Sequence, residues 1–146
     1  MKPRAAWPVL AKKAKEKCDE AAAAVVKGRE RVAHLQQSRA RMDMLYEDYV
    51  RRSREAESKP HSMAETLNFR GFMQQLQSLI IRVDQDLEIA NGELQALKRA
   101  LLSAEHKRLQ METLMEEDLK RVREHALRRE QREMDAAGVM LYNMRS

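Results

Sequence analysis

Four histidines, one cysteine and 23 carboxylates are the residues in this chain whose side chains could do chemistry. His34, His61, His106 and His125 are scattered. No two stand three or four apart, the spacing that turns two imidazoles toward one metal from a helix face. Cys18 is the only cysteine, which excludes an intramolecular disulfide and suits a reducing compartment. The four glycines stand singly, so no glycine-rich loop can cradle a phosphate. Carboxylates alternate with Lys and Arg, as on the solvated face of a helix. This inventory predicts no catalytic residue, no cofactor, no metal and no small-molecule substrate. The expectation is a protein that is not an enzyme.

The elements that carry these residues are written in a spacing of apolar positions. Leu76, Ile80, Val83, Leu87, Ala90, Leu94, Leu97, Leu101 and Ala104 alternate steps of four and three. That is a heptad seam, and it commits the segment to lie along another helix. Ala14, Cys18, Ala21, Val25, Gly28, Val32, Leu35, Arg39, Met42, Tyr46 and Tyr49 keep the same spacing earlier in the chain. Charged residues make up 35% and aromatics 4%, a composition of long helices rather than of a globule with a wide centre.

Pro60 breaks the helical pattern, and Ser62 with Glu65 fits a capping box that would start a second helix. The expected fold is all-α, a long antiparallel two-helix coiled-coil hairpin in a single domain spanning 1–146. Helix one covers about 8–57, the turn 58–62, and helix two about 63–137 with Gly138 as its C-cap; 138–146 is a tail. Positions should pair where their numbers add to about 124, since a short turn makes the helices antiparallel neighbours. Seam then meets seam: Met42 with Val83, Leu35 with Ala90, Ala14 with Met111. At ~1.5 Å per residue the helices would be ~75 and ~110 Å long, leaving about 25 residues of the second as an overhang. Beyond Ala104 the seam falters at Arg108, then Met111, Met115 and either Asp118 or Leu119. Choosing Leu119 inserts an extra residue into the repeat and locally unwinds the supercoil.

Charge and apolar surplus gather at opposite ends of such a hairpin. Residues 1–60 hold 15 Lys and Arg against 9 Asp and Glu, and Lys120, Arg121, Arg123, Arg128, Arg129 and Arg132 form a second basic cluster. Folding back brings the two together at the open end. They are either solvated faces or an anion-binding surface. Aromatics do not interleave with them, which argues against nucleic acid. The stretch from Lys120 to Arg132 is only weakly amphipathic, which argues against a membrane surface, and an acidic protein cavity suits the charges better. The closed end carries more apolar side chains than two helices need. Met44, Leu45, Val50, Phe69, Met73, Leu79 and Ile81 add to the seam, and four of the six aromatics (Tyr46, Tyr49, Phe69, Phe72) lie there. A docking surface, a crowded core and a dimer contact are the readings of this surplus.

The run from Asn68 to Leu76, with Phe69 and Phe72 three apart just after the turn, resembles the FliJ family. Leu45-Tyr46-Glu47-Asp48-Tyr49 is similar to that family's aromatic segment, and residues 129–135 to its C-terminal pattern, with Arg132 in place of Lys and Ala136 in place of Glu. The resemblance implies a long antiparallel coiled coil, similar to the central stalk of rotary ATPases, in the bacterial flagellar export apparatus. It implies that the open end enters the hexameric export ATPase and that the closed half contacts the cytoplasmic part of the membrane export gate. It also implies binding of export chaperones and a cytoplasmic place at the inner face of the membrane. Carried onto this chain, gate contact falls to Met42, Leu45, Tyr49, Phe72, Leu76, Leu79 and Val83. ATPase contact falls to Arg129, Gln131, Arg132 and Asp135. The equivalent stalk of a virulence secretion system, a nucleic-acid-binding coiled coil and a dedicated export chaperone are the other readings.

Overall fold

The computed structural model describes residues 6–57 and 63–145, and every one of them is helical. Helix α1 spans Ala6–Glu57 and helix α2 spans Met63–Arg145. They pack against each other as an antiparallel helical hairpin. Pro8 lies in the first turn of α1, where its missing N–H interrupts no ladder bond. The expected turn at 58–62, including Pro60 and the Ser62 half of the capping box, lies outside the described residues.

The far end of α2 departs from expectation. The helix does not stop at Ala137 but runs through Gly138 to Arg145, so residues 138–145 are not a separate tail. A glycine C-cap requires a left-handed backbone, and no residue described here has a positive φ. Gly138 stays helical at a cost of about 1 kcal/mol relative to Ala, and no proline follows to stop the helix.

The chain divides into two compact units, Ala22–Ala100 and a second that joins α1 up to Ala21 with α2 from Leu101 onward. In the first, Val25, Val32, Leu76, Val83, Ala90 and Leu94 are buried, all at seam positions. The helices approach closely at Gly28, where an added Cβ would lie 3.0 Å from Leu97 Cδ1 and 3.2 Å from Leu94 Cδ1. Two ion pairs cross between the helices: Arg31 Nη1 to Glu93 Oε2 at 3.0 Å and Arg39 Nε to Asp84 Oδ1 at 2.7 Å. Both pairs fall at or beside the expected register. Arg39 was a seam position by spacing; its side chain is 30% exposed and its guanidinium also reaches Asp43. A long arginine can lay its stem on the seam and keep its charge in water.

The second unit has a thinner seam. Its buried residues are Ala14, Cys18 and Asp118. Arg108 stands beside Cys18 and donates to Glu112 Oε1 at 3.0 Å; the Glu112 carboxylate first, then the Cys18 thiol, hold its guanidinium above the ordinary value. The choice at 118–119 falls to Asp118, which is 3% exposed, whereas Leu119 is 40% exposed. Met111, Met115, Asp118 and Val122 therefore continue the steps of four and three without an inserted residue.

Candidate functional site: the two ends of the hairpin

At the closed end, aromatic side chains organise the packing. Tyr49 stacks on Phe72 with ring centroids 4.1 Å apart and lies 5.8 Å from Phe69 at a 31° tilt. Such pairs add about 0.5–1.5 kcal/mol beyond the area they bury. The Arg52 guanidinium carbon is 6.0 Å from the Tyr49 ring centroid. Beyond them a groove of about 420 Å³ opens over Tyr49 and Phe69, edged by Arg52, Arg70, Glu57 and Glu65.

The seven closed-end residues do not form one surface. Leu76 and Val83 are buried in the seam, at 3% and 9% exposure. Met42, Tyr49 and Phe72 are half-buried. Leu45 and Leu79 are exposed, but they line different grooves: Leu45 with Met44 and Arg41 on α1, Leu79 with Gly71 and Arg82 on α2. Of the surplus apolar residues, Met44 and Ile81 are also exposed, while Val50, Phe69 and Met73 are half-buried. Ile81 edges a third groove with Tyr46 and Arg39. A crowded core and an exposed apolar surface are both present, on different sides of the same turns.

At the other end, every residue from Arg123 to Arg145 is exposed, so among the described residues no helix packs against this stretch of α2. Arg129 Nε donates to Glu133 Oε1 at 3.3 Å, and Gln131 Nε2 donates to Asp135 Oδ1 at 3.2 Å. Helical spacing puts Arg129 and Arg132 on one face and Gln131 with Asp135 on another. The four residues are therefore presented as two pairs. A feature beyond them is the exposed set Leu127, Met134 and Leu141, seven apart, with Met144 one turn on. Their spacing was available in the sequence; the expected end at Ala137 hid it by cutting the stripe in two.

No group of three or more His, Cys, Asp and Glu among the described residues is placed to hold a metal ion. No helix of the described residues is long and apolar enough to cross a membrane. The exposed side chains include an apolar set at the closed end and a mixed apolar and basic set at the open one. The class is that of an all-helical antiparallel hairpin. The chain belongs to the FliJ family: the family model described as flagellar FliJ protein matches residues 8–146, nearly its whole length. That family consists of structural components of the flagellar export apparatus. No curated protein and no solved structure matches the chain.

Proposed function

We propose that this protein is a non-catalytic stalk of the flagellar export apparatus, linking the hexameric export ATPase to the cytoplasmic part of the membrane export gate. The observation that carries the reading is the contrast between the two ends of one hairpin. The closed end presents Leu45, Leu79 and their exposed neighbours around a stacked aromatic core. The open end presents an unpartnered helix with Arg129 and Arg132 on one face. In this reading Arg129, Gln131, Arg132 and Asp135 contact the ATPase. Leu45 and Leu79 contact the gate directly, Met42, Tyr49 and Phe72 contribute their exposed edges, and Leu76 and Val83 shape that surface from beneath. Binding of export chaperones and a peripheral place at the cytoplasmic face of the inner membrane belong to the same proposal. The family matched is flagellar, which favours that machine over a virulence equivalent.

Mixing the protein with the cognate export ATPase tests the reading. The expected result is ring stabilisation or stimulated ATP hydrolysis, both reduced by replacing Arg129 and Arg132 with Ala. An ATPase whose assembly and turnover ignore the protein would overturn it.

A further inference from the structure

We propose that the last stretch of α2 is a pairing surface for a second copy of this chain, which docks on it antiparallel. Leu127, Met134, Leu141 and Met144 are between 62% and 82% exposed. With Glu130 and Ala137 they complete steps of three and four, the pattern of a helix that lies along another. This stripe is not the hairpin seam carried on. The seam runs through Met115, Asp118 and Val122, and its spacing continues at His125 and Arg129. Leu127 stands two residues before Arg129, about 200° round the helix. The stripe therefore lies on the outer side of α2, and among the described residues no part of α1 covers it. An apolar stripe of this kind on an otherwise charged helix marks an interaction surface.

Charge and length select a second copy as the occupant. Residues 123–145 hold five Arg against four Asp and Glu, so two copies meet without strong repulsion. Setting Leu127 against Met144 of the second copy also sets Met134 against its Ala137 and brings Glu124 beside its Arg145. Two-fold symmetry makes each of these contacts twice. Large then faces small in the central layers, and opposite charges meet at both ends of the overlap. The overlap runs from 124 to 145, about 33 Å, and takes up nearly all of the exposed stretch. The paired part of each hairpin, which ends at Val122, lies outside it. Arg129 and Arg132 turn away from the second copy, so the inference does not rest on their proposed contact with the ATPase. Glu130 stands in a core layer against Leu141 of the second copy. A polar residue there costs stability and fixes the register, which makes the pairing weak and dependent on concentration.

Sedimentation equilibrium of the full chain should show a monomer that dimerises as its concentration rises. Leu141→Glu, which sets two carboxylates in one layer, should abolish the dimer. Helix content by circular dichroism should not change, because Leu141 is exposed in the monomer. Glu130→Leu should tighten the dimer by about tenfold or more. Disulfide trapping in chains carrying Cys18→Ala reads the direction of pairing. Gln131→Cys and Gly138→Cys flank the centre of the overlap, and an added Cβ at Gly138 meets nothing within 4 Å. The two variants should cross-link when mixed. Neither should cross-link with itself, since like residues then lie about 10 Å apart along the axis, beyond the reach of a disulfide. A chain still monomeric at on the order of 100 μM would overturn the proposal and leave the stripe to a different protein. So would a dimer indifferent to both Leu141→Glu and Glu130→Leu, or cross-linking of either cysteine variant alone, the mark of parallel pairing.

Discussion

Leu76 and Leu79 are one turn apart on α2, and replacing each with Ala separates scaffold from contact surface. Leu76 is 3% exposed, so Leu76→Ala removes a side chain surrounded by protein and leaves a cavity. Buried leucine truncations of this kind cost about 2–5 kcal/mol. At roughly 2–4 °C per kcal/mol for a chain of this length, the melting temperature should fall by on the order of 10 °C. Leu79 is 48% exposed, so about half of its transfer energy is already forgone. Its truncation should cost roughly 0.5–1 kcal/mol, offset by a slight gain in helix propensity. The assay pairs thermal melts followed by circular dichroism with capture of the cytoplasmic domain of the export gate, both on the same preparations. Leu76→Ala should weaken capture in step with its loss of helix on warming. Leu79→Ala should weaken capture several-fold while melting like the parent. Equal melting of the two variants would refute the packing argument, and undiminished capture by Leu79→Ala would remove Leu79 from the contact surface.

The remaining expectations follow from local geometry. Gly92→Ala should stabilise the hairpin by about 1 kcal/mol in denaturant titrations, because nothing lies within 4 Å of the added Cβ. Gly28→Ala should gain less, since that methyl must displace the Leu97 and Leu94 methyls, and Gly28→Leu should destabilise by about 1–3 kcal/mol. A double-mutant cycle on Arg39 and Asp84 should give a coupling of about 0.2–1 kcal/mol that shrinks as salt is added, because both side chains reach water. Arg129→Ala with Arg132→Ala should leave the melting temperature unchanged within about 1 °C, as both residues are exposed on an unpartnered helix. Binding to the ATPase should fall and lose part of its salt dependence.

The register of the hairpin was legible because apolar spacing and a short turn together leave few ways to pair two helices. Arg31 with Glu93 and Arg39 with Asp84 fall where that pairing puts them, although neither pair was itself foreseen. Near the tip a sum of about 124 would set Tyr49 opposite residues 75–76, whereas the ring stacked on it is Phe72, about one helical turn earlier in α2. Spacing was silent on 118 and 119, where hydrophobicity favours one residue and continuity the other. Such a tie is decided by neighbours on both helices, which no window along one segment contains. The end of α2 was misplaced for a related reason. Gly138 carries the local signature of a cap, but the cap forms only if the backbone turns left-handed there, and a long helix can carry a glycine straight through.

The roles of Leu76 and Leu79 show why family likeness and burial must be weighed together. A residue shared with a binding motif can act by touching the partner or by holding up the residues that do, and sequence does not distinguish the two. Here the steps of four and three place Leu76 and Val83 inside, with Leu79 outside on the same turns of helix. Tyr49 and Phe72 lie between these extremes, each half-buried and each supporting the other. A partner reaching this end meets the exposed edges of a stacked pair whose positions are already fixed by the seam below. Preorganisation of that kind lowers the ordering cost of binding, which otherwise runs to about 0.5–1.5 kcal/mol for each mobile side chain. The open end is the contrary case. Its side chains project from a helix without a neighbour and satisfy one another through Arg129 with Glu133 and Gln131 with Asp135. Under the proposed stalk role, contact there would first break or share those pairs, so affinity at that end is expected to rest on charge and respond to salt, and affinity at the closed end to rest on shape.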